Sequence, residues 1–187
     1  GSVALLARTS DINYSRDAKD IDIIASPSVA EKVIIGLREQ GYERGIFIDE
    51  KMPFAKQLRK DASTRYLRFT KGNVAIEILV SDATHSSAGV VYELLPGFFC
   101  KLPDNVIAEA HLDGLTFRAL STEALFCVYQ IGLKTYGRFV RKGIEQRRND
   151  VEALRSVVDQ GKKRKFMDTA RVKACGMWMR LPYFLAR

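Results

Sequence analysis

The stretch Lys19-Asp20-Ile21-Asp22-Ile23-Ile24 is short, apolar and β-branched, which is the composition of a strand. Side chains alternate faces along a strand. Asp20 and Asp22 therefore project from one face, and Ile21 and Ile23 from the other, into a core. Two like charges at that spacing repel unless something positive binds between them. Hard carboxylate oxygens suit Mg²⁺ or Mn²⁺. An isolated Asp-x-Asp is also compatible with a strand end whose two carboxylates face water, so the surrounding chain has to decide.

The flanking pattern supplies a context for the pair. Val3 to Arg8 contains good helix formers and no breaker. Gly1-Ser2 before it reads either as a tight turn or as a cloning remnant. Thr9 to Lys19 is polar and aperiodic, a loop leading into the Asp20 strand. Ser26-Pro27-Ser28 opens a helix, with Ser28 and Glu31 as a capping box, and Gly41 closes it. Val29, Val33, Ile34 and Leu37 form its apolar stripe. Tyr42 to Ile48 reads as the next strand, and Asp49 to Ala62 as a loop or short helix. Arg65 to Phe69 alternates, Lys71-Gly72-Asn73 is a hairpin turn, and Val74 to Val80 is the returning strand. Glu77 is the only charge in that apolar run. A lone carboxylate there is unfavourable unless it is paired, bound to metal or at a sheet edge. Ser81 to Ala88 reads as a polar loop. Val90 to Leu95 and Leu115 to Ala119 add strands, with Asp113-Gly114 a turn.

From Ser121 the composition becomes helical. One helix runs to Leu133 and is apolar on most sides. A second spans about Val140 to Val158 and ends at Gly161, and Met167 to Arg187 forms a last helix or two broken at Pro182. These readings give an α/β (α+β) chain: a mixed sheet flanked by helices in residues 1–119, and a helical C-terminal subdomain in 120–187.

Composition narrows the function classes. Cys100, Cys127 and Cys175 are far apart and fit neither a zinc site nor a disulfide framework, which points to a reducing, cytoplasmic setting. The two histidines, His85 and His111, argue against a His-based zinc site. No apolar run is long enough to span a membrane, and no signal peptide is visible. Thirty Lys and Arg against 22 Asp and Glu leave a net charge of +8, which favours an acidic partner such as a nucleotide or nucleic acid. Lys162-Lys163-Arg164-Lys165 concentrates that charge in a segment expected to be exposed and mobile. It is either ordinary solvated surface or a landing patch for a phosphate backbone.

Taken in order, Gly1-Ser2, Asp20-Ile21-Asp22-Ile23 and Ile76-Glu77-Ile78 resemble the nucleotidyltransferase superfamily, whose core is shared with polymerase β. Leu120 to Leu125 and Arg147 to Leu154 resemble the helical tail of its minimal members, among them the abortive-infection toxin type. The gap from Ser2 to Asp20 is longer than the usual family pattern. The resemblance implies transfer of a nucleoside monophosphate from a nucleoside triphosphate, such as ATP, to a hydroxyl acceptor. It implies that Asp20, Asp22 and Glu77 hold two Mg²⁺ (or Mn²⁺) ions, with Glu77 also a candidate base. Gly1 and Ser2 would approach the triphosphate through backbone N–H groups and the hydroxyl, and Lys134 is a further triphosphate contact. For Lys134 a helix-end lysine complementing the dipole is the plain alternative. The acceptor is open between small molecule, protein hydroxyl and RNA or tRNA, with the basic back half favouring RNA.

Two other readings compete. One is a catalytically silent nucleotidyltransferase-like module that binds nucleic acid or a protein partner. The other is a carboxylate-metal nuclease. Such nucleases usually place a Lys in the cluster, and Val74 to Val80 offers none.

Overall fold

A computed structural model of the chain describes residues 2–12, 14–18, 20–45, 64–81, 85–86, 89–95, 98–103, 106–136, 144–174 and 177–186. Gly1, Lys19, Cys175 and the segment 49–62 lie outside the described residues, as does 46–48 of the strand expected after Tyr42.

Helix α1 (Ser2–Arg8) precedes a short 3-10 turn (Ser10–Ile12). Strand β1 (Asp20–Ala25) and helix α2 (Pro27–Glu39) follow, then β2 (Glu43–Gly45), β3 (Thr64–Lys71) and β4 (Val74–Ser81). These four strands form one mixed sheet in the order β1-β4-β3-β2. β1 runs parallel to β4, and the other pairings are antiparallel.

Helix α2 covers one face of this sheet. Ala25, Ala30, Phe69, Ile76, Ile78 and Val80 are buried there, with Ile23, Val33, Ile34, Leu37, Tyr42 and Leu67 packed around them. Register fixes which side chains share that face. Ile23 pairs with Ile78, and Ile76 with Phe69, so the row between them, Asp22, Glu77 and Arg68, falls on the opposite face. Ile21 departs from expectation: it is 37% exposed, because β1 is the edge strand and its outer flank has no neighbour in the sheet. The start of α2 also differs. The helix begins at Pro27 with Ser26 as its cap residue, two residues ahead of the expected Ser28–Glu31 box, because Pro fits the first helical position. Its end is as expected. Gly41 adopts φ +79°, Gly41 N–H bonds to the Arg38 carbonyl and Tyr42 N–H to the Leu37 carbonyl, a Schellman closure with Tyr42 and Leu37 in the same core.

A second sheet contains β5 (His85–Ser86), β6 (Gly89–Leu95), β7 (Phe98–Leu102), β10 (Arg171–Ala174) and β11 (Met177–Arg180), ordered β11-β10-β7-β6-β5. β8 (Ile107–Leu112) and β9 (Leu115–Leu120) form a hairpin whose turn residues Asp113 and Gly114 both have positive φ, the geometry of a type I′ turn. Helices α3 (Thr122–Tyr136), α4 (Ile144–Val157), α5 (Gln160–Thr169) and α6 (Leu181–Ala186) complete the chain. Their core includes Leu125, Phe126, Ile131, Val151, Leu154 and Val172, joined by Leu5 of α1.

Two features of this half differ from the sequence reading. Residues 171–174 and 177–180 are strands, with β10 pairing against β7. Arg171-Val172-Lys173-Ala174 and Met177-Trp178-Met179-Arg180 alternate about Cys175-Gly176, a period of two that a helical reading passes over. Lys162 to Lys165 also lie inside helix α5 rather than in a loop. Asp159 caps that helix, its Oδ1 accepting from Lys162 N–H at 2.8 Å, which lets a helix start before Gly161.

Helix α1 joins the two halves. The Arg8 guanidinium donates to the carbonyls of Leu120 (3.0 Å), Glu109 (2.6 Å) and Ala108 (3.1 Å), pinning α1 to the β8–β9 hairpin. Burial draws the Arg8 pKa below its ordinary value, with Glu123 opposing.

Candidate active site

The site lies on the face of the first sheet that α2 leaves uncovered. Asp22 on β1 is the register partner of Glu77 on β4, and Glu77 is the register partner of Arg68 on β3. Asp20 projects from the same face as Asp22, two residues earlier. Asp20, Asp22 and Glu77 each offer one carboxylate oxygen, and the three oxygens lie within 4.8 Å of one another. Three hard anionic oxygens at that spacing fit a divalent cation of the Mg²⁺ or Mn²⁺ type.

Glu77 is not at a sheet edge, since β4 lies between β1 and β3. Its side chain is 19% exposed, and Arg68 Nη1 donates to its Oε1 at 2.8 Å. Burial raises the Glu77 pKa above the usual carboxylate value. The charges of Asp22 and Asp20 add to this, and Arg68 works against it. The two Asp side chains are more open: Asp20 is half-buried and Asp22 exposed.

Ser2 stands at the first position of α1, 3% exposed, and its Oγ lies 3.0 Å from the Asp20 carbonyl oxygen and 3.3 Å from Asp20 Oδ1. The expected Ser therefore reaches the acidic face despite the long intervening loop. Lys134, near the end of α3, donates through Nζ to the Leu185 carbonyl at 2.7 Å, at the end of α6. Lys162, Arg164 and Lys165 are exposed on α5, while Lys163 stacks its ammonium 4.8 Å from the Phe126 ring centre and donates to Gln160 at 3.1 Å.

Sequence reasoning passed over several residues that hold the site. Arg68 is one, and its signal was present: counting back from the Lys71–Val74 pair at the hairpin turn sets Arg68 opposite Glu77. The other is a clasp on the loop before β1. Asp150 of α4, 2% exposed, accepts from Tyr14 Oη (2.7 Å), Arg16 Nη1 (2.6 Å) and Gln146 Nε2 (3.1 Å). Burial and the bond to Asp150 push the Tyr14 hydroxyl up to about 12. Next to this clasp, burial and then Asp150 raise the Tyr129 pKa, with Asp22 adding a smaller contribution, and Arg147 lies 5.7 Å over the Tyr129 ring. Contacts spanning 134 residues carry no signal readable from local sequence.

No protein-family model and no curated protein matches the sequence. Among solved structures, the crystal structure of ANT(2'')-Ia in complex with adenylyl-2''-tobramycin matches with a TM-score of 0.57 over 89% of this chain and 81% of that chain, at 12% identity. A solution structure of the antibiotic-resistance factor ANT(2'')-Ia overlaps at a TM-score of 0.49, 16% identity, and 83% and 77% of the two chains. The first likeness shows that the chain has the mixed α/β fold of an aminoglycoside nucleotidyltransferase.

Proposed function

We propose that the chain is a metal-dependent nucleotidyltransferase that moves a nucleoside monophosphate from a nucleoside triphosphate to a hydroxyl acceptor. One observation carries this reading: three carboxylate oxygens within 4.8 Å of one another, on the sheet face opposite α2 in a nucleotidyltransferase fold. The ANT(2'')-Ia crystal structure contains an adenylylated hydroxyl compound, the product class such a transfer gives.

Asp20, Asp22 and Glu77 would hold the divalent ions, Mg²⁺ or Mn²⁺. Bound there, the ions would neutralise triphosphate charge and clamp attacking and leaving oxygens. In the transfer the acceptor oxygen bonds to the α-phosphorus, the bond from that phosphorus to the bridging oxygen breaks, and pyrophosphate leaves. The acceptor proton passes to a carboxylate. Glu77 is the candidate for this role, its burial raising its proton affinity above that of an ordinary carboxylate. Ser2, together with Gly1, would meet the triphosphate at the start of α1, and Lys134 would contribute from the helical half.

For the acceptor we favour RNA, including a tRNA end. The support is the net charge of +8 and the exposed Lys162, Arg164 and Lys165 on α5. The test supplies each of the four α-³²P nucleoside triphosphates with Mg²⁺ and total RNA, then follows label into RNA and release of pyrophosphate. Labelled RNA with one triphosphate supports the reading. Pyrophosphate release that RNA does not stimulate, but a small hydroxyl compound does, removes RNA as the acceptor.

The second reading is a catalytically silent module of the same fold. It is favoured by Ser2, whose buried hydroxyl is already committed to Asp20. Triphosphate binding without pyrophosphate release under any acceptor would select it.

A further inference from the structure

Arg68 is a permanent cation beside a cluster that attracts cations. Its guanidinium takes Glu77 Oε1 at 2.8 Å, and its side chain is 35% exposed, so the group has a way out to solvent. The row Asp22–Glu77–Arg68–Gly45 runs across all four strands at one level of the sheet. At its far end Gly45 presents no side chain, and a Cβ there would stand 3.6 Å from Arg68 Cγ. Gly45 itself therefore puts no side chain against that flank of the arginine.

We propose that Arg68 is the resident counter-ion of Glu77 and a positioning residue for cation loading: it competes with the divalent ion for the third carboxylate and swings off it as the ion binds. This rests on the reading that the three carboxylates bind metal. Arg68 and a divalent ion are both cations drawn to the same Glu77 carboxylate, so occupancy by one opposes occupancy by the other.

The test is Mn²⁺ binding to the whole chain without nucleotide, read from the electron paramagnetic resonance of free Mn²⁺. Wild type is expected to bind Mn²⁺. Arg68→Gln should bind it about tenfold more tightly, because a competing cation has been removed. Arg68→Lys keeps the charge and should stay within about twofold of wild type. Unchanged or weaker Mn²⁺ binding by Arg68→Gln overturns the proposal while leaving the metal site intact. Absence of binding by wild type overturns the metal reading together with it. Should Arg68→Gln fail to fold, Mg²⁺ titration of the ¹⁵N-labelled wild type decides. The Arg68 side-chain signal, identified by its loss in Arg68→Lys, should move to a free guanidinium position; a signal that Mg²⁺ leaves unmoved overturns the proposal.

Discussion

Arg16 Nη1 lies 2.6 Å from Asp150 Oδ2, tying the loop that enters β1 to a helix far along the chain. The Asp150 side chain is 3% exposed and that of Arg16 19%. The pair is completed by Tyr14 and Gln146, so the buried carboxylate has a partner on several sides. Removing one member of a buried pair leaves the other charge uncompensated. Asp150→Asn is therefore expected to lower unfolding free energy by about 3 kcal/mol, read from urea denaturation. A loss below a few tenths of a kcal/mol would show that the clasp contributes nothing to the fold.

Arg8 makes a second long-range connection, between α1 and the β8–β9 hairpin. Arg8→Ala removes three short bonds to carbonyls and should destabilise by about 2 kcal/mol. It should also speed amide exchange in Leu5 to Thr9, because α1 loses its anchor. Exchange unchanged in that segment would place the anchor elsewhere, in the packing of Leu5.

The first sheet was largely legible in the sequence, because its signals are local. Lys71-Gly72-Asn73 set the β3–β4 hairpin, Gly41 closed α2, and the alternation around Asp20 and Glu77 placed both acids on one face. The helical tail was legible as helix for α3 through its apolar content and for α4 through its one charged face. β10 and β11 were not, because two four-residue strands late in a helical region have a pattern too short to stand out, and their pairing with β7 is a non-local event. Arg68 and Asp150 were missed for a related reason. Their importance lies in the residue opposite, and for Asp150 that residue is across the fold.

Glu77 makes the stability of the chain depend on pH. Its pKa is raised in the folded state, chiefly by burial and then by Asp22 and Asp20. A raised carboxylate pKa means that the folded state binds the proton more tightly than the unfolded one. This contribution is full below the unfolded value of 4.5 and is lost as pH rises through the folded value. With chelator present, Glu77→Gln should therefore raise the melting temperature relative to wild type at pH 7, and the advantage should vanish below the ordinary carboxylate pKa. Equal melting temperatures at pH 7 would show that Arg68 fully offsets the burial of the charge.

The exposed cations of α5 carry the case for RNA. Lys and Arg contacts to phosphates release counterions, about 0.7 of a log–log salt slope unit per contact on a single strand. Replacing Lys162, Lys163, Arg164 and Lys165 with Gln should lower RNA affinity and flatten the salt dependence, leaving triphosphate binding untouched. RNA binding with unchanged affinity and slope would make these residues ordinary surface. A folded variant is expected, since only Lys163 is packed, against Phe126.

Most directly, the account stands on whether Asp20, Asp22 and Glu77 bind a metal-loaded triphosphate. Calorimetric titration of the purified chain with each nucleoside triphosphate, with Mg²⁺ and with chelator, measures this. Wild type should bind at least one triphosphate only when Mg²⁺ or Mn²⁺ is present. Asp22→Ala, at an exposed position, should keep its fold by circular dichroism and lose that binding. Equal, metal-independent binding by wild type and Asp22→Ala would contradict the account.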